Sequence, residues 1–178
     1  NASAERVEVV RSLRAASELV NGSDVDGADA PPLLLALDLT APPSTDLACG
    51  NLLCDWPRGC LCRLAVWVER NPVAAGRLVE LRVRGNDLRA VPGAVLGKLG
   101  RLRRLDVGFN GLVAVPKEIA DAVELEEIDV SGNEKLVVDG PAVEALRKLP
   151  KLKRVVAKGV PAAEKLDPSQ FPFQWVVQ

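Results

Sequence analysis

Three segments of this chain follow one template. They are Leu78-Val-Glu-Leu81-Arg-Val83-Arg-Gly-Asn86, Leu102-Arg-Arg-Leu105-Asp-Val107-Gly-Phe-Asn110 and Leu125-Glu-Glu-Ile128-Asp-Val130-Ser-Gly-Asn133. Their asparagines recur at spacings of 24 and 23 residues, and a fourth copy, Leu152 to Val160, carries Val where the asparagine belongs. A period of this length predicts a stacked solenoid, in which one coil cannot bury its own apolar edge and relies on its neighbours to do so. Each Leu-x-x-Leu-x-Val run reads as a strand of a parallel sheet, with Leu81, Val83, Leu105, Val107, Ile128, Val130 and Val155 pointing inward. The asparagine after each strand has the donors and acceptor to satisfy buried backbone groups of an adjacent coil. Val91-Pro92 and Val115-Pro116 return the chain along the opposite side, and Val143 to Leu149 reads as a helix with Pro141 in its first turn.

Over roughly residues 76 to 160 this pattern resembles the leucine-rich repeat family. The resemblance implies an α/β solenoid of three to four parallel strands that supplies a binding surface and no reaction centre. Residues 1–75 are expected to form a helical, cysteine-bearing N-terminal cap, and residues 161–178 a C-terminal cap or tail. Equivalent residues on neighbouring strands stand about 4.8 Å apart, so the outward positions form columns. One reads Glu80, Arg104, Glu127, Arg154; a second Val79, Arg103, Glu126, Lys153; a third Arg82, Asp106, Asp129, Val156. Alternating signs suit pairing across strands, each exposed pair contributing at most about 1 kcal/mol. They also suit docking of a protein of complementary charge. The partner-binding candidates on this face are Arg82, Arg84, Arg103, Arg104, Glu126, Glu127, Lys153 and Arg154. A second candidate is the aromatic tail Phe171-Pro-Phe173-Gln-Trp175, which would either cover the last coil or dock into a neighbour.

Before the repeats, Ala4 to Val20 has apolar residues three apart and reads as a helix that Asn21-Gly22 ends. Leu33 to Leu39 is too short for its period to separate helix from strand, and Val66 to Val68 looks extended. Four cysteines then fall at 49, 54, 60 and 62. Zinc thiolates usually come as separated Cys-x2–4-Cys pairs, whereas the gaps here are four, five and one residues and the chain has no histidine. Disulfides are therefore expected and a metal is not. Cys54-Asp-Trp56-Pro-Arg-Gly59-Cys60-Leu-Cys62 resembles the N-terminal cap of plant-type extracellular leucine-rich repeat proteins, Cys-x-Trp-x-Gly-Val-x-Cys. Cys60 replaces the Val, and one extra residue lies between Trp56 and Gly59. The resemblance implies a Cys54–Cys62 bridge, leaving Cys49 and Cys60 for the second. Cys49–Cys62 with Cys54–Cys60 stays open. Disulfides imply an oxidising compartment: the cell exterior, an organelle lumen or an intermembrane space. The repeats themselves carry Val-Pro turns like those of intracellular adaptors.

Lys plus Arg (23) and Asp plus Glu (24) nearly cancel, which gives no electrostatic case for nucleic acid. Leu33 to Leu37 is far shorter than the roughly 20 apolar residues of a spanning helix. No methionine is present, so Asn1 reads as a processed end or the start of a fragment; Asn1-Ala2-Ser3 and Asn21-Gly22-Ser23 match the N-glycosylation tripeptide. Without histidine, the commonest general base and every Ser–His or Cys–His pair are missing. Gly93-Ala-Val-Leu-Gly97-Lys98-Leu99 is one residue short of a phosphate loop and has Leu in place of its Ser or Thr. The expected function is a non-enzymatic protein-interaction module, without cofactor or metal, that binds protein partners through its strand face. An accessory subunit of a large mitochondrial or chloroplast assembly and a ligand-sensing receptor ectodomain are the alternatives.

Overall fold

The computed structural model describes residues 5–22, 33–40, 46–47, 49, 54 and 60–178. Its frame is one all-parallel sheet whose strands lie in chain order: β1 (Arg6–Val10), β2 (Leu33–Asp38), β3 (Leu78–Arg82), β4 (Arg104–Asp106), β5 (Glu127–Asp129), β6 (Arg154–Val156) and β7 (Gln174–Val176). Parallel neighbours taken strictly in order require every connection to return on the same side, and that is a solenoid. Among the described residues seven strands stand where the sequence suggested three to four. The additional ones come from segments without the repeat motif.

The central coils follow the template. Glu80, Arg104, Glu127 and Arg154 are in register across β3 to β6, as are Leu81, Leu105, Ile128 and Val155. These inward residues and Val83, Val107 and Val130 are all buried. The returning connections carry helical turns: α4 (Gly93–Leu96), a 3-10 turn at Lys117–Asp121 and α5 (Gly140–Arg147), in consecutive coils. The Gly93–Lys98 segment is thus the first such turn. Asp139 accepts from the Ala142 N–H at 3.0 Å and caps α5.

The asparagines lace the coils together. Asn110 Nδ2 donates to Val83, Val107 and Gly108 carbonyls at 3.1, 2.9 and 3.1 Å, and its Oδ1 accepts from Asn86 and Leu88 N–H at 2.8 and 3.1 Å. Asn133 repeats this one coil later, donating to Val107 and Val130 and accepting from Leu112. Asn86 donates to Leu39 at 2.7 Å and so ties the first repeat to the β2 coil. In the fourth copy Val160 fills the asparagine's place by burial alone.

The N-terminal region departs from the sequence expectation. Arg6–Val10 is a strand, and helix α1 begins only at Leu13 (Leu13–Gly22), where the Ser12 hydroxyl accepts from the Ala15 N–H at 2.9 Å. Three-residue spacing of β-branched valines was the misleading signal, because Val7 and Val10 serve a strand that pairs with β2. Leu33–Asp38 is a strand buried on both faces, between β1 and β3. Val66–Val68 lies within α2 (Cys62–Arg70), which is followed by α3 (Pro72–Gly76). α1 is joined to these helices through Ser17, whose hydroxyl accepts from Trp67 Nε1 at 2.8 Å and donates to Asn71 Oδ1 at 3.0 Å. At the other end, after α6 (Pro161–Glu164), Trp175 pairs with Val155 in the sheet. Its indole N–H reaches the Ala163 carbonyl at 3.3 Å, and its ring stacks on Phe171 with centroids 4.9 Å apart. Phe173 and Trp175 are buried, so the tail covers the last coil.

Candidate binding face on the strands

Side chains at 80, 82 and 84 of the first repeat, and their equivalents in later coils, project from the sheet away from the core. The eight charged candidates named above all form ion pairs within the molecule. Arg82 meets Glu80 at 2.7 Å and Asp38 at 3.5 Å. Arg103 is held by Glu5, and Arg104 stands 4.0 Å from Glu80. Lys153 meets Glu126 at 2.5 Å, and Arg154 meets Glu127 at 3.6 Å. The Lys153 ammonium holds the Glu126 carboxyl below the usual range against the opposing effect of burial, with help from Arg103 and Arg104. Burial resists the charge on Asp38, but hydrogen bonds from Thr40 and the charge of Arg82 outweigh it and leave that carboxyl below its ordinary value.

Arg84 differs from the others in reach. Its Nη1 lies 3.3 Å from both Asp106 on β4 and Asp129 on β5, so one guanidinium spans two strands. Gly108 permits this crossing, because a Cβ there would stand 2.7 Å from Arg84 Nη1. The guanidinium also sits over the ring of Phe109, 4.2 Å from its centroid. Phe109 is 57% exposed, the largest such value among the aromatic rings of the described residues.

The backbone makes Phe109 more unusual still. Gly85, Phe109, Gly132 and Gly159 occupy the same place in successive coils, one residue before the asparagine or its Val substitute. The three glycines have φ of 70°, 68° and 66°, the left-handed region they enter freely, and Phe109 is forced there at 51°. An L-residue in this region is strained by roughly 1–2 kcal/mol. Gly132 makes room for the ring, since a Cβ on it would come within 2.8 Å of Phe109 Cδ1. The sequence candidates included Arg84, and one column held Asp106 and Asp129 without naming them as binding residues; Gly108, Phe109 and Gly132 were passed over. The available signal was Phe109 itself, standing where the three other aligned copies have glycine.

The four cysteines converge on the N-terminal side. Their sulfurs all lie within 4.8 Å of one another. Burial, together with hydrogen bonding to the neighbouring thiols, pushes the Cys60 pKa far up. The fold brings together all four sulfurs of the expected bridge patterns. Trp56 and Gly59 of the cap motif lie outside the described residues.

Parallel strands in chain order, asparagines that lace consecutive coils and a helical returning layer make a solenoid like that of leucine-rich repeats. No family model matches the sequence, and no curated protein matches it. Among solved structures, human 5T4 (Wnt-activated inhibitory factor 1, trophoblast glycoprotein) is similar over 77% of this chain and 45% of its own, at 22% identity and a TM-score of 0.49. This chain spans about half the length of that protein.

Proposed function

We propose that the chain is a non-enzymatic protein-interaction module that engages its partner through the strand face, centred on Phe109 and Arg84. The observation that carries this reading is Phe109: a large apolar ring kept exposed, in a backbone conformation that glycine fills in the other coils. Backbone strain of this kind is retained where a side chain has work to do in one position. Exposed aromatic and arginine side chains at the centre of a face are the usual anchors of protein interfaces. The surrounding ion pairs fix the direction of Arg84 and form a polar rim, which favours specificity over raw affinity. Catalysis finds little support, because the chain has no histidine and the face carboxylates Glu80, Asp106, Asp129, Glu126 and Glu127 are engaged with cations or backbone donors. Membership of a larger assembly is compatible with this face.

Site-directed photo-cross-linking in the cells that make the protein tests the reading. A cross-linking residue at position 109 should give a discrete adduct with a defined protein, and one at Lys117, exposed in the helical layer, should give none. Adducts at 117 with none at 109 would place the interface on the other side.

A further inference from the structure

We propose that Cys49, Cys54, Cys60 and Cys62 bind one zinc ion through four thiolates, forming a structural clamp between the β2 coil and the start of α2. Two disulfides require two close sulfur pairs and place no demand on the other four distances. Here all six distances are short, within 4.8 Å. That is the requirement of a tetrahedral ion: with Zn–S near 2.3 Å, the sulfurs stand about 3.8 Å apart. The sequence spacing appeared unfavourable because the usual zinc pairs are regular along the chain. Convergence is supplied by the fold instead, which brings 49 and 54 to the 60–62 turn.

Local structure supports the donors. Leu61, between two of the ligands, is 1% exposed and fixes the turn in the core as the residue preceding α2. Cys62 is the first residue of that nine-residue helix, so the helix start sets its position. The helix continues through Leu64, Trp67 and Val68 into the core, so the clamp is coupled to buried packing. The connection from β2 to α2 is long and carries three of the four ligands before the helix begins. Closing such a loop by one ion stabilises the folded state by the free energy of metal binding. Four thiols lose four protons on binding, and the divalent ion leaves a site of net charge −2. A zinc-thiolate site needs reduced cysteines, whereas the bridges implied by the cap resemblance need an oxidising compartment.

The test uses the full chain purified without chelator. Elemental mass spectrometry should find one zinc per chain. Replacement by cobalt should give thiolate-to-metal charge transfer in the near ultraviolet with tetrahedral d–d bands. All four cysteines should resist alkylation until the metal is stripped. Cys60→Ser should lose the zinc, and the wild-type alkylation pattern stands as evidence if that variant does not fold. An intact mass short of the hydrogens that two bridges remove would overturn the proposal in favour of disulfides. Four freely alkylated thiols after incubation with zinc would also overturn it, as would bound cobalt without the thiolate charge-transfer band, the mark of an adventitious ion.

Discussion

The repeats and the N-terminal region build the same sheet by different means. From β3 to β5 one residue type at one spacing does the joining: each asparagine satisfies carbonyls of its own coil and the preceding one, and Asn110 and Asn133 also accept from that coil. β1 and β2 have the same parallel pairing, but the connection from β2 to β3, residues 39–77, is longer than any between the repeats. A dispersed set holds them: Ser17, Trp67 and Asn71 between helices, Asp46 accepting from the Leu13 N–H at 2.6 Å, and the four cysteines. A periodic joint leaves a periodic sequence, whereas a joint assembled from distant single residues leaves none.

Substitutions can break this contrast on either side. The largest effect is expected from Leu105→Ala, which removes a 3% exposed side chain at the centre of β4. It should lower stability by about 2–5 kcal/mol in urea unfolding. Asn133→Ala comes next. Its amide is fully buried and serves Val107, Val130 and the Leu112 N–H, so at about 1–3 kcal/mol per buried group left unpaired the loss should exceed about 2 kcal/mol. Both should speed hydrogen exchange in β4 and β5 first. Stripping metal from the wild type should instead speed exchange in α2 and β2 while the β5 amides remain protected; equal acceleration in both regions would erase the distinction.

Smaller effects probe the face. Gly132→Ala places a side chain at φ 68° and against the Phe109 ring, and should cost about 1–2 kcal/mol. The smallest is electrostatic. Because the folded-state value of Asp38 is depressed, its contribution is complete above the unfolded value of about 3.9 and is lost as pH falls through the folded one. Asp38→Asn should therefore flatten the acid limb of the stability profile below about pH 4, measured by thermal unfolding across pH.

How much was legible in the sequence follows from the same contrast. The 24- and 23-residue spacing fixed the fold type, the inward residues and the register of four strands. β1 was hidden because Val7 and Val10 fit a helical spacing as well as a strand, and β2 because a run buried on both faces has no period. α2 was missed because the apolar triplet Val66-Trp67-Val68 looked extended out of context, although Leu64, Trp67 and Val68 are its buried stripe. The charged face was visible as columns. Its centre was not, because the reach of Arg84 to Asp129, two strands away, depends on the absence of a side chain at Gly108 in the coil between them.

The central claim is that Phe109 is kept in a strained, exposed position for binding and not for folding. Phe109→Gly tests it most directly, with unfolding and partner affinity measured on the same preparation. Relief of the left-handed strain and loss of the Arg84 contact oppose each other, so stability should stay within about 1 kcal/mol of wild type. Affinity for the protein cross-linked at position 109 should fall by about 30-fold or more, the mark of an anchor contributing at least about 2 kcal/mol. A variant that binds as wild type does, while unfolding several kcal/mol more easily, would show that the ring serves the fold and that the partner binds elsewhere.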